Sequence, residues 1–186
     1  LGAGTPLWAA QSPADSLMSQ VPGSAGRERV TLLNTLFKRY RNFAPDRAAG
    51  YAREALGLAR QLGDSAGEGQ ALNNLGTFAK NTGDLDQALG YYLASVSIQE
   101  ALGDQQRLAF ALSNIGIVYS MQEQPLKAMT SFEEALGYFW QLGDPGYLIP
   151  ALDNLGTAHY DAGNLEQAQA YYQQAASLAR ASGMES

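Results

Sequence analysis

Few side chains in this sequence could carry out covalent chemistry. There is one histidine, His159, and no cysteine. Thiolate nucleophiles, disulfides and sulfur-ligated metals are therefore excluded. A zinc site would have to draw most of its ligands from carboxylates, and no spacing of Asp or Glu offers one. No G-x-S-x-G elbow, phosphate-binding loop, H-E-x-x-H or paired-aspartate metal motif is present. The expectation is a chain with no catalytic residue, no metal and no cofactor.

What is left for recognition is charge and hydrogen bonding. The net charge of −6 is unevenly spread: residues 1–60 carry eight Arg/Lys against four Asp/Glu, and residues 61–186 carry four against fourteen. The acidic majority argues against nucleic acid as the main partner. The basic start (Arg27, Arg29, Lys38, Arg39, Arg41, Arg47) would favour an acidic partner or head-to-tail contacts between copies.

The elements that would position these groups recur along the chain. Leu62-Gly63-Asp64, Leu102-Gly103-Asp104 and Leu142-Gly143-Asp144 return every 40 residues. The segment ALNNLGTFAKNTGDLDQA at 71–88 returns as ALSNIGIVYSMQEQPLKA at 111–128 and as ALDNLGTAHYDAGNLEQA at 151–168. A degenerate copy lies upstream. Its first half matches with an offset of 39 residues and its second half with an offset of 40, so its internal connection differs by one residue. A fixed period of this length is the signature of stacked helical units.

Each unit reads as two helices, A and B. In the second copy helix A is predicted over about Glu68–Asn81, with Ala71, Leu72, Leu75, Phe78 and Ala79 on one stripe. Gly83 ends it, because glycine enters the left-handed conformation without a Cβ penalty. Asp84 is the expected N-cap of helix B, about Leu85–Leu102. Gly76, Gly116 and Gly156 share one position on helix A; Ala88, Ala128 and Ala168 share one on helix B, with rings at Tyr92, Phe132 and Tyr172. Small residues facing large ones at fixed intervals are what interdigitating helices need. In the third copy Glu123-Gln124-Pro125 replaces the Gly-Asp turn. Pro125 suits a first helical position, whereas Glu123 must turn left-handed or reshape the turn. His159 stands where the preceding copy has Tyr119, which makes it a packing residue. Pro150 falls within the last A-helix pattern, and a helix starting late, after Pro145-Gly146, is the expected accommodation.

These residues resemble the tetratricopeptide repeat (TPR) family. Asn74-Leu75-Gly76, Asn114-Ile115-Gly116-Tyr119 and Asn154-Leu155-Gly156 fill the helix A pattern. Gly83-Asp84 and Gly163-Asn164 fill the turn. Ala88-Tyr92, Ala128-Phe132-Ala135 and Ala168-Tyr172-Ala175 fill helix B. The resemblance implies an all-α fold, a right-handed superhelix (solenoid) of stacked antiparallel helix pairs with about four units, near 28–66, 67–106, 107–146 and 147–184. The longer period, with Leu-Gly-Asp between units, is similar to repeats of signalling scaffolds and of the sensory ectodomains of bacterial membrane kinases, cyclases and transcription regulators.

In that family the A helices line a concave, peptide-binding groove. By register the resemblance places there Asn34, Lys38 and Arg41; Gln70, Asn73, Thr77, Lys80 and Asn81; Ile117 and Met121; and Asp153 and Tyr160. Asn74, Asn114 and Asn154 lie one step deeper, as a ladder of amides able to bond a peptide backbone or a neighbouring helix. This groove would run from basic (Lys38, Arg41, Lys80) through apolar (Phe110, Ile117, Met121) to acidic (Asp153, Asp161). The implied partner is a protein or peptide, and the implied role is the sensory or scaffold part of a signalling protein. Self-association through the terminal repeats is the alternative. The family's carboxylate clamp is absent, since Pro150 and Asn154 stand at its positions.

Residues 1–27 lie outside the repeat and are expected to be a leader and linker. LGAGTPLWAA resembles the tail of a secretion segment, which points to a periplasmic or extracytoplasmic location, with a cytoplasmic one as the alternative. A short helix ending near Val21 precedes the Pro22–Gly26 linker. No run of 18 apolar residues is present to span a membrane. The chain is expected to be part of a longer protein, because no polar capping helix follows the last repeat.

Overall fold

The computed structural model describes residues 19–184. The secretion-segment reading concerns residues 1–10, which lie outside the described residues. The short helix expected next is seen at its end, where Ser19 and Gln20 are helical and Val21–Gly23 form a 3-10 turn. Eight α-helices follow: α1 (Gly26–Tyr40), α2 (Pro45–Leu62), α3 (Ser65–Asn81), α4 (Leu85–Leu102), α5 (Gln105–Met121), α6 (Pro125–Leu142), α7 (Pro145–Asp161) and α8 (Leu165–Ser182). None of them is long and apolar enough to cross a membrane. The chain divides into two compact units, one ending at Asn74 and one beginning at Leu75, so the division falls inside α3.

The Leu-Gly-Asp triplets act as stop-and-start devices. Gly103 sits at φ 67°, which lets the Asp104 amide reach back to the Gln99 carbonyl (3.0 Å) and closes α4. The Asp104 carboxylate then accepts from the Arg107 amide (3.0 Å) and opens α5. Orphan groups at both helix ends are satisfied by three residues. Asp84 caps α4 as expected, through the Gln87 amide (3.1 Å). The Glu123 turn keeps its backbone shape: Glu123 adopts φ 57°, and Pro125 is the first residue of α6. Pro150 departs from expectation. The helix does not start late but runs from Pro145 with Pro150 inside it. Pro150 is the sixth residue of this helix, so its missing N–H leaves the Gly146 carbonyl without an i+4 donor; the helix is nonetheless started at Pro145 by the Asp144 side chain on the Gly146 amide (2.8 Å). Helix α3 also starts earlier than predicted, at Ser65, because Asp64 caps it through Gly67 (3.1 Å).

In the first unit α1 packs on α2. Val30, Leu33, Leu36, Phe37, Ala52, Ala55 and Ala71 are buried. The α1–α2 connection has four residues (41–44), where the A-to-B connections after α3, α5 and α7 have three. That is the one-residue difference expected of the upstream copy. It aligns Phe37 with Gly76, and Ala52 with Tyr92. Bulk is therefore inverted here: the ring is on helix A and the small residue on helix B, both buried.

In the second unit α4 packs on α5, α5 on α6, α6 on α7 and α7 on α8. The joint inside each A–B pair is a glycine against a ring. A Cβ on Gly76 would lie 2.7 Å from Tyr92, one on Gly116 2.5 Å from Phe132 and one on Gly156 2.7 Å from Tyr172. Where the ring carries a hydroxyl, a threonine meets it: Tyr92 donates to Thr77 (3.2 Å), and the Thr157 and Tyr172 hydroxyls are 3.1 Å apart. In the pair with Phe132 that threonine is Ile117, which joins the apolar core. Gly116→Ala should destabilise the protein by about 1–3 kcal/mol through overpacking. Gly116→Ala combined with Phe132→Leu should recover part of that loss. Urea denaturation of the two variants checks this, and a single variant as stable as wild type would contradict it.

Candidate functional site

Helices α1 and α3 bring six of the expected recognition residues into the first unit. Lys38 and Arg41 are exposed on the last turn and C-cap of α1, and Gln70 and Asn73 are half-buried on α3. Asn34 and Asn74 are not surface groups. They are 5% and 2% exposed, and their amides bond inward. Gln70 donates to Asn74 (3.2 Å), Asn74 to Asn34 (2.9 Å), and Asn34 to the Gly67 carbonyl (3.2 Å). A buried amide with its partners already inside the protein joins helices rather than holding a ligand.

In the second unit the expected residues lie on the C-terminal part of α3 and on α5 and α7. Thr77 and Lys80 are half-buried and Asn81 is exposed. Thr77 is the seat of the Tyr92 hydroxyl and Ile117 packs into the core, so both support the rings of the B helices before they face any ligand. Asn114 and Asn154 are half-buried. Phe110 is 39% exposed and packs edge-on to Phe139 (5.3 Å) and Tyr147 (5.1 Å). Met121 and Tyr160 are 50% and 61% exposed. On α7 the residues Asp153, Thr157, Tyr160 and Asp161 are all exposed and follow i, i+4, i+7, i+8 spacing, one continuous stripe. Partial desolvation raises the Asp153 carboxyl above its ordinary 3.8.

Two clefts in this unit were not read from the sequence. One, of about 440 Å³, lies where the α5–α6 turn meets the end of α7 and is lined by Ser120, Glu123, Pro125 and Asp161. The other, of about 570 Å³, is lined chiefly by Trp140 of α6 and by Gln173, Gln174 and Ser177 of α8. Trp140 stands where the other copies have Arg60, Glu100 and Arg180, a signal visible in the register.

His159 packs as expected. It is 8% exposed and stacks on Tyr171 (centroids 5.2 Å apart, planes at 25°), with its Nδ1 3.5 Å from the Asn164 amide. Among the described residues no cluster of three His, Asp or Glu could hold a metal ion. The arrangement therefore offers shape, amides and charge for recognition.

The tetratricopeptide repeat model matches residues 67–139 and again 149–182, together more than half of the chain. The chain belongs to the tetratricopeptide repeat family. Its fold is similar to that of BtubC from P. vanneervenii, at 24% identity and a TM-score of 0.77, over 86% of this chain and 66% of that one. It is similar to a Rap protein complexed with competence and sporulation factor, at 15% identity and a TM-score of 0.83, over 90% of this chain and 48% of that one. A signal transduction ATPase with a tetratricopeptide repeat sensor, from Pyrococcus horikoshii, matches at 17% identity and a TM-score of 0.76, over 88% of this chain and 26% of that one. The chain thus spans less than two thirds of each of these structures. No curated protein matches it.

The Asp153 shift has a consequence for stability. A carboxyl raised in the folded state holds its proton more tightly there than in the unfolded chain. Its stabilising contribution is complete below 3.8 and is lost as pH rises through the elevated folded value. Asp153→Asn should therefore match or exceed wild-type stability near neutral pH and lose that advantage as pH falls through the carboxylate range. Urea midpoints measured across pH check this; a variant less stable than wild type at neutral pH would contradict it.

Proposed function

We propose that this chain is a non-catalytic module that binds a protein or peptide and forms the sensory or scaffold part of a larger signalling protein. The observation that carries the reading is the exposed stripe of α7 together with the end of α5. Met121 and Tyr160 are large, half or more exposed, and flanked by Asp153, Thr157 and the Asn114 and Asn154 amides. Apolar anchors surrounded by polar groups are the usual makings of a polypeptide-binding surface. Support for a sensory role comes from two neighbours, one whose tetratricopeptide repeat is named as a sensor and one complexed with competence and sporulation factor. The test is a peptide selected from a random display library on the full chain. Its affinity for Met121→Ala/Tyr160→Ala should fall by about tenfold or more, and an unchanged affinity would reject this face.

Self-association is a second reading, favoured by α8. Tyr92 and Phe132 are 0% and 3% exposed because α5 covers α4 and α7 covers α6. The matching face of α8, which no described helix covers, leaves Tyr172 39% exposed. A second copy laid on this face would complete the stack. Sedimentation equilibrium decides: a dimer abolished by Ala176→Glu supports it, and a monomer at high concentration rejects it.

A further inference from the structure

The cleft between the α5–α6 turn and the end of α7 narrows the chemistry of the partner. Its lining residues are Ser120, Glu123, Pro125 and Asp161, around about 440 Å³, so two of the four are acidic. The two exposed apolar side chains of the proposed face are its immediate chain neighbours, Met121 next to Ser120 and Tyr160 next to Asp161. Neither carboxylate takes part in the ion pairs Arg29–Glu54, Arg60–Glu68 or Arg107–Asp104. The cation nearest in sequence, Lys127, is placed over the Tyr119 ring (5.4 Å). Glu123 also stands where the neighbouring turns have Gly83 and Gly163, so a carboxylate is present at a position whose left-handed backbone favours glycine.

We infer that this surface docks a basic polypeptide segment in which an Arg or Lys stands beside a large apolar residue. The cation enters the cleft between Glu123 and Asp161, and the apolar side chain lies on Met121 and Tyr160. A cation there meets two carboxylates and a hydroxyl acceptor without removing an existing partner from either. The space admits a guanidinium, whose planar fork matches carboxylates. This inference rests on the reading that the α5–α7 face binds polypeptides, and its test separates the two.

The probe is an array of short acetylated peptides carrying one Arg beside one Leu or Tyr at every register. A matched array has citrulline for Arg, which keeps the shape and loses the charge. The full chain should bind the best Arg peptides about tenfold tighter than their citrulline partners, and salt should reduce the difference. Glu123→Gln/Asp161→Asn should abolish the preference. So should Glu123→Gly, which restores the glycine of the other turns and should fold at least as stably. Equal binding of the two arrays, weakened alike by Met121→Ala/Tyr160→Ala, would overturn the inference and leave the binding face standing. Binding indifferent to all four residues would overturn both.

Discussion

The contact between a helix A glycine and a helix B ring decides how close two helices can come. At Gly116 the Phe132 ring occupies the volume that any side chain would need. With the glycine in place, Ala109, Leu112, Ala128, Ala135 and Phe139 close into one core with Leu148, Ala151 and Leu155 of the next A helix. The same contact returns at Gly76–Tyr92 and Gly156–Tyr172. It sets the outward stripe of each A helix as well, because residues one position away from the glycine hold the ring: Thr77, Ile117 and Thr157. Positions further along the helix, such as Met121 and Tyr160, are left exposed.

Much of this was legible in the sequence, for definable reasons. The 40-residue period, the Leu-Gly-Asp stops, the capping by Asp84 and the left-handed Glu123 all follow from backbone chemistry that acts within a few residues. The packing role of His159 could be read from its register with Tyr119. What escaped depended on contacts between distant segments. Asn34 read as a ligand-facing amide, and Asn74 as one able to bond either a peptide backbone or a neighbouring helix. They are bonded to each other across 40 residues, which only packing reveals. The ring contacts of Phe110 with residues 29 and 37 positions later were likewise out of reach of the sequence, although the residue stays 39% exposed. Pro150 was expected to delay its helix. Capping by Asp144 and the neighbouring Pro145 starts that helix early enough to contain it.

The same logic explains why the recognition surface is built from few exposed anchors. A solenoid helix spends most of its faces on its two neighbours, so what is free is a narrow stripe. On α7 that stripe carries two carboxylates, a threonine and a tyrosine, and on α5 it ends in a methionine beside a strained turn. In the proposed function, charge and one or two apolar side chains on this stripe carry selectivity.

The central claim is that α5, α6 and α7 share one core, the α5–α6 pair being completed by the helix that follows. Native-state hydrogen exchange on the full chain tests it most directly. The account predicts that the interior amides of α5, α6 and α7 open with a common free energy and respond together to urea, with α8 opening at lower cost. Independent opening of the α5–α6 pair and of α7, each with its own urea dependence, would contradict it.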